Sequence, residues 1–389
     1  MKRLARWSLN FILCVFYKAI YTFIKVEKDT FLFMSFHGRG FSDNPKSIYE
    51  YLKQRYPEKK YIWVLNDEKK ASHCYSVRFG SIKFFYYLAK SKYWIFNCKT
   101  YPYMIKKKNQ VYLQTWHGTP LKRLGHDINV NEKATFYRSG LSSAEMKKTY
   151  DDDVKKYDYM ISPNPFSTDV FQSAFRIPKE KLIETGYPRN DKIQNSSIFD
   201  INKLKEKYKI PFHKQIILYA PTWRDNIYNN SGYAMKLQID FDCWNEILGR
   251  DYVILYKPHY LIVDQIEIRD ELKNFVYEID SKSDINELYL LSDILITDYS
   301  SVFFDYAILE KPIYFYMYDL EEYKNELRGF YLDIHKELPG KIYKDENTLL
   351  SDIKNNIFDY DKLYTFNRRF NSLHDGNATK RVLNVLLQS

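Results

Sequence analysis

The sequence predicts an α/β protein of two facing Rossmann-like domains, each built on a parallel sheet. Short aromatic or β-branched runs alternate with helix-like stretches from residue 30 onward, the rhythm of a repeating βα chain. That rhythm runs twice, on either side of the polar stretch Asn190–Ser197, which is the expected hinge. The chain has 389 residues, more than one core commonly holds. The expected division is a leading segment 1–28, an N-terminal domain 29–190 and a C-terminal domain 191–389. In such folds a ligand sits in the cleft outside the carboxyl ends of the strands.

The leading segment reads MKRLARWSLNFILCVFYKAIYTFIKV. Its apolar stretch Trp7–Tyr17 is 11 residues long before Lys18 intervenes and Ala19–Ile24 resumes. A spanning helix needs about 20 mostly apolar residues, so this one falls short, and no small-residue cleavage site follows it. Lys2, Arg3, Arg6, Lys18 and Lys25 lie among Trp7, Phe11, Phe16, Tyr17, Tyr21 and Phe23. That mixture suits a helix lying in the interface of an anionic leaflet; a helix packed on the protein body is the other reading.

In the first domain, strands are expected at Thr30–Phe36, Tyr61–Leu65, Tyr93–Asn97, Val111–Thr115 and Asp158–Ser162, with helices at Lys46–Arg55, Ser81–Lys90 and Ser167–Phe175. In the second, strands are expected at Gln215–Tyr219, Tyr252–Tyr256, Phe275–Ile279, Ile294–Thr297 and Ile313–Tyr316. Helices are expected there at Phe241–Leu248, Ile285–Leu291, Ser301–Leu309 and Leu320–Leu327, and from Glu346 onward.

Composition narrows the function. Hydrophobic residues at 45% and charged residues at 28% exclude wholesale disorder, and 12 Gly with 13 Pro exclude a collagen-like chain. Tyr (37) and Phe (26) are abundant, supplying faces that suit cores, sugar-like ligands and membrane interfaces. The net charge of +10 favours an anionic partner: nucleic acid, anionic lipid or a phosphorylated substrate. Cys14, Cys74, Cys98 and Cys243 are too scattered for a zinc knuckle or a disulfide framework and fit a cytosolic compartment. No P-loop and no Gly-x-Gly-x-x-Gly follows an early strand, which argues against P-loop NTPase chemistry and dinucleotide redox chemistry. No metal-ligand spacing appears, so neither a metal nor another cofactor is expected.

Four clusters at strand ends carry chemistry. In QTWHGTPLK (114–122), His117 directly follows a strand, where an imidazole can take a proton near neutral pH. Gly118 would let a substrate approach the backbone, and Lys122 would attract a phosphate. A structural His at a strand–turn junction is the alternative. In YAPTWRD (219–225), Arg224 has the fork geometry for phosphate, and Thr222 adds a hydroxyl; an Arg–Asp surface pair is the alternative. In YKPHY (256–260), Lys257 and His259 supply two cations, or a packed neutral His. In ITDYSSVFFD (296–305), Ser300 and Ser301 precede a helix start, an anion-friendly geometry that a simple cap also explains. Asp298 would repel a bare phosphate, so it is assigned to positioning a hydroxyl or a basic neighbour.

Two weaker segments follow. The loop SFHGRG (35–40) with Asp43, Asn44 and Pro45 could hold an acceptor through His37, Gly38, Arg39 and Asn44, though Asn44-Pro45 is also a helix start. Arg328 and its aromatic neighbours sit on a late loop. The run Asp151–Asp153 reads as a solvated helix face. A nucleic-acid binder would use the basic charge but would leave the strand-end histidines without a purpose.

Taken together, SFHGRGFSDNP (35–45), QTWHGTPLKRLG (114–125), SPNPFST (162–168), ETGYPRND (184–191), YAPTWRD (219–225), KPHYLI (257–262), ITDYSSVFFDYAI (296–308) and RGFYLD (328–333) resemble the CDP-glycerol glycerophosphotransferase family, which builds wall teichoic acid. The resemblance runs from about Phe33 to about Asp375. It implies a GT-B-like architecture, a CDP-glycerol donor and an undecaprenyl-diphosphate-linked acceptor at the cytoplasmic face of the bacterial cell membrane. His117 matches the family's proposed base, and His259, Ser300 and Ser301 match its donor-phosphate residues; His259 is expected to be catalytic together with His117. Thr222, Arg224, Lys257, Asp298 and Arg328 complete the expected donor set. His37, Gly38, Arg39, Asn44 and Lys122 form the expected acceptor set. The length fits a primase or short-chain elongating member. A CDP-ribitol-dependent transferase and a sugar-nucleotide glycosyltransferase are the alternatives, and nothing in the sequence sets an oligomeric state.

Overall fold

The computed structural model describes residues 2–68, 74–128, 135–136, 141–222, 228–229, 232–233, 239–258, 268–280, 283–321 and 329–388. The chain divides into two compact units. The first holds residues 1–117, 125–191 and 373–389, and the second holds 118–124 and 192–372.

Among the described residues nine strands lie in the first unit. They are β1 (Glu27–Met34), β2 (Lys60–Leu65), β3 (Ser76–Arg78), β4 (Ser91–Phe96), β5 (Val111–Gln114), the short antiparallel pair β6 (Thr135–Phe136) and β7 (Leu141–Ser142), β8 (Tyr159–Ser162) and β9 (Leu182–Glu184). Seven form a parallel sheet in the order β3-β2-β1-β4-β5-β8-β9. The strand order reverses between β1 and β4, the point at which doubly wound sheets open a crevice at the carboxyl ends. Phe31–Met34, Ile62–Leu65 and Tyr93–Phe96 are buried throughout, as expected of strands covered on both faces. Phe31 stacks on Tyr93 with ring centroids 4.5 Å apart.

In the second unit the strands are β10 (Gln215–Ala220), the short pair β11 (Tyr228–Asn229) and β12 (Gly232–Tyr233), β13 (Tyr252–Tyr256), β14 (Val276–Glu278), β15 (Ile294–Thr297), β16 (Ile313–Tyr316) and β17 (Ile342–Tyr343). Six make a parallel sheet, β14-β13-β10-β15-β16-β17. Its order reverses between β10 and β15.

Most expected elements form within a residue or two of their expected bounds. The informative differences are at strand ends. β1, β4 and β5 stop at Met34, Phe96 and Gln114, before the expected Phe36, Asn97 and Thr115. Phe36, His37 and Trp116 take positive φ of 48°, 56° and 51°, which no strand accommodates. The edge strands β3, β9 and β17 are two or three residues long, too short for a periodic signal. The expected helix Ser301–Leu309 is an α-helix at Val302–Tyr306 followed by a 3₁₀ turn at Ala307–Leu309. Beyond Glu321, the expected helix Leu320–Leu327 lies outside the described residues.

Two segments cross the expected division of the chain. The C-terminal helix Ala378–Leu386 belongs to the first unit, not to the second as a 191–389 domain would have it. Its Val382, Leu383 and Leu386 join Phe33, Trp63 and Ile161 in one core. Asp191 accepts hydrogen bonds from the N–H groups of Ala378 and Thr379, both at 2.8 Å. Residues 118–124 belong to the second unit: Arg123 N–H donates to the Gly329 carbonyl at 3.0 Å, and Tyr331 N–H donates to that of Leu121 at 2.9 Å.

The leading segment is a helix, Lys2–Phe23. Tyr17 is fully buried, and Phe16 meets Phe85 edge-on at 5.3 Å. Leu9, Ile12, Val15 and Phe23 are exposed, Ile12 by 62% and Phe23 by 83%. One side is therefore docked on the protein, and an apolar stripe is left in solvent. Among the described residues no helix is long and apolar enough to cross a membrane.

Candidate active site

The first unit gathers its polar side chains where β1, β4 and β5 end. Trp116 follows β5 with φ +51°, a left-handed conformation that costs a bulky residue about 1 kcal/mol or more. It is held by three contacts. Gln114 accepts from Trp116 N–H at 3.0 Å, and the Asn44 amide donates to the carbonyls of Thr115 and Trp116 at 3.3 and 3.2 Å. The indole stacks on the His117 ring, 4.4 Å between centroids.

His117 is gripped at both ends. Its Nδ1 lies 2.7 Å from the Asn97 carbonyl oxygen. A carbonyl only accepts, so Nδ1 carries the hydrogen and the neutral ring keeps its lone pair on Nε2. The His117 carbonyl accepts from Arg189 Nη1 at 3.0 Å. Burial pushes the imidazole below its ordinary pKa; the Asp43 carboxylate and the Asn97 hydrogen bond oppose that, and Arg189 adds to it. That direction favours the neutral ring, the state a base requires.

Around it stand the other expected residues of this unit. His37 has φ +56°, and its Nδ1 is buried without a hydrogen-bond partner. Burial, with the charges of Arg39, His117 and Lys99, holds its pKa down to about 4. Gly38 has φ +80°, and a β-carbon there would meet Asn66 at 3.1 Å, so the loop excludes a side chain at this position. Arg39 is exposed. Asn44 is fully buried and bonded internally, its Oδ1 accepting from Arg189 N–H at 3.1 Å; it shapes the loop. Lys122, expected beside this acceptor set, belongs to the second unit, where its backbone bridges Phe330. The chain has already left the first sheet at Gly118.

The second unit repeats the pattern at its own reversal point. Thr222 follows β10, and Asp298 follows β15. Asp298 Oδ1 accepts from Thr222 N–H at 2.8 Å, from the Thr222 hydroxyl, and from Tyr299 N–H at 2.6 Å. The carboxylate thus fixes the Thr222 hydroxyl. Ser300 Oγ accepts from Val302 N–H at 3.4 Å, whereas Ser301 makes no side-chain cap bond. A β-carbon on Gly118 would stand 3.0 Å from Ser301 Oγ. Lys257 is anchored past β13 by its N–H to the Tyr219 carbonyl, 3.0 Å. Burial lowers its ammonium pKa to about 8 against the raising influence of Asp280 and Asp284. Arg224, His259 and Arg328 lie outside the described residues.

Three residues around His117 were not singled out by sequence: Asp43, Asn97 and Arg189. Two of them stand in the quoted segments SFHGRGFSDNP and ETGYPRND, which is the signal that could have found them. The acidic run also differs from its solvated-face reading. Asp152 pairs with Lys148 and Lys155 at the surface, but Asp153 is buried and accepts from Thr100 N–H at 3.0 Å and Tyr157 OH at 2.5 Å. A buried carboxylate needs such donors. Among the described residues no cluster of metal-ligating side chains occurs.

A family model described as CDP-glycerol:poly(glycerophosphate) glycerophosphotransferase matches residues 15–388. The teichoic acid glycerol-phosphate transferase of Staphylococcus aureus (strain NCTC 8325) is 39% identical, over 95% of this chain and 97% of that protein. The teichoic acid poly(glycerol phosphate) polymerase of Bacillus subtilis (strain 168) is 36% identical over 94% of this chain, which spans 49% of the polymerase. A solved structure of the wall teichoic acid polymerase TagF, a His→Asn variant soaked with CDPG, superposes with a TM-score of 0.88 at 35% identity, covering 100% of this chain and 97% of that one.

Proposed function

The chain belongs to the CDP-glycerol:poly(glycerophosphate) glycerophosphotransferase family, and from that premise we propose that it transfers glycerol phosphate from CDP-glycerol to a hydroxyl of a polyprenyl-diphosphate-linked teichoic acid precursor, releasing CMP. Thr222, Lys257, Ser300 and Ser301 hold the donor, with Arg224, His259 and Arg328 completing the phosphate clamp and Asp298 orienting Thr222. The His37–Arg39 loop binds the acceptor. His117 Nε2 takes the proton of the acceptor hydroxyl as its oxygen attacks the phosphorus bearing glycerol. The bond from that phosphorus to the bridging oxygen breaks, and CMP leaves with the electron pair. Preplaced cations and hydroxyls meet the charge spread over the phosphate oxygens, commonly the largest contribution in phosphoryl transfer.

The observation that carries this reading is the 2.7 Å bond from His117 Nδ1 to the Asn97 carbonyl, which leaves Nε2 as the basic nitrogen. The test is incubation with CDP-glycerol, CDP-ribitol and UDP-sugars beside synthetic lipid-linked acceptors, reading nucleotide release and product mass. CMP release with addition of glycerol phosphate is expected from CDP-glycerol. Turnover with CDP-ribitol or a UDP-sugar in its place would overturn the assignment.

The same proposal puts the enzyme on the cytoplasmic face of the bacterial membrane as a peripheral protein. The exposed residues Leu9, Ile12 and Phe23 follow helical spacing and support a helix lying in the interface.

A further inference from the structure

His117 closes a hydrogen-bonded ring with three residues from three other segments. Its Nδ1 donates to the Asn97 carbonyl. The Asn97 side-chain amide donates to Asp43 Oδ2 at 2.5 Å, and Asp43 Oδ1 receives Arg189 Nη1 at 2.5 Å. Arg189 Nη1 returns to the His117 carbonyl at 3.0 Å. The Asp43–Arg189 pair is largely buried, its side chains 5% and 11% exposed. Asn97 Oδ1 also takes Phe36 N–H at 2.8 Å, tying the ring to the loop that carries His37.

We propose that Asp43 and Arg189 are positioning residues for His117: they lock the orientation of its imidazole and hold two opposed charges beside it. The inference rests on the reading of His117 as the base. A buried ion pair is weak evidence of stability, so its presence here calls for another reason. The ring supplies one, because it clamps both the imidazole and the carbonyl of a residue that follows a strained Trp116. The charges act in opposite senses. The Asp43 carboxylate favours imidazolium, and the Arg189 guanidinium disfavours it. Among the described residues, the other titratable and charged groups acting on this cluster are His37, which burial keeps neutral at working pH, Arg39 and Lys99 beside it, and Cys98, whose thiol burial and the Asp43 carboxylate push up.

The test is the pH dependence of kcat and kcat/KM in Asp43→Asn, Arg189→Gln, Arg189→Lys and the double variant Asp43→Asn/Arg189→Gln, with the KM for CDP-glycerol and the melting temperature alongside. A base works unprotonated, so activity falls as pH drops through its pKa. Arg189→Gln leaves Asp43 unopposed and moves that acid limb up by about one pH unit. Asp43→Asn moves it down, and the double variant brings it back toward wild type. Arg189→Lys keeps the charge without the fork, so the limb stays while kcat falls about 10- to 100-fold, the cost of a misplaced catalytic group. The KM for CDP-glycerol stays within about twofold in all of them. Acid limbs that stay put in both single-charge variants, or that move in the same direction, overturn the proposal. His117→Ala separates the two claims: if it abolishes turnover while the limbs stay put, only the positioning role fails; if it retains turnover, the base reading fails.

Discussion

A β-carbon placed on Gly118 would lie 3.0 Å from the hydroxyl oxygen of Ser301. Both residues belong to the second unit, and Ser301 is a proposed donor ligand. The contact is with a rotatable side chain, so Gly118→Ala displaces the Ser301 hydroxyl rather than the backbone. The expected result is a KM for CDP-glycerol raised about three- to tenfold, as for one weakened hydrogen bond to a charged ligand, with the melting temperature nearly unchanged. Steady-state kinetics with donor titration checks it.

His117→Ala removes the base and leaves the donor residues intact. Turnover is expected to fall about 100- to 10,000-fold, while CDP-glycerol binding measured by calorimetry changes little. In the wild type, the acid limb of kcat/KM should lie below the ordinary histidine range, because burial lowers the imidazole pKa. A pH–rate profile reads this directly.

Lys257 titrates within reach of ordinary buffers, its pKa held down to about 8 by burial. A bound diphosphate favours the charged ammonium. Donor affinity should therefore hold below pH 8 and weaken above it, by up to about tenfold per pH unit. Lys257→Met should bind weakly at every pH and lose that slope. Binding isotherms from pH 7 to 9.5 distinguish the two.

The exposed apolar stripe of the leading helix is separable from its docked side. Ile12→Asp with Val15→Asp leaves the buried Tyr17 untouched. Sedimentation with anionic liposomes should lose most of the protein from the pellet, while turnover on a soluble acceptor analogue stays at the wild-type rate. Pelleting equal to wild type would count against the membrane-surface reading.

Asp153 offers a stability test away from the chemistry. Asp153→Ala leaves the Thr100 N–H and the Tyr157 hydroxyl without their acceptor. The expected loss is about 3 kcal/mol, read as a lowered urea midpoint with the slope unchanged. Asp152→Ala, whose ion pairs are at the surface, should cost about 0.5 kcal/mol or less.

Much was legible before any coordinates, for a local reason. A strand covered on both faces must be apolar throughout, so Tyr252–Tyr256 and Ile294–Thr297 appear in the fold with the bounds read from their composition. His117, Thr222 and Ser301 were visible because doubly wound sheets present their chemistry just past such strands. Where a strand stops is less local. β5 ends at Gln114 because Trp116 turns left-handed, and Trp116 is held there by Asn44, far away in the chain.

The sequence by itself determined the fold class, the family and the histidine just past β5, since each is written in contiguous residues. Tertiary structure alone decided that the last helix completes the first unit, that Gly118–Leu124 crosses into the second, and that Asp43, Asn97 and Arg189 close around His117. These contacts join segments far apart in the chain, 146 residues for Arg189 with Asp43 and 188 for Thr379 with Asp191. Hydrogen bonds and packing across such separations leave no periodicity in a linear chain; only folding brings the partners within reach.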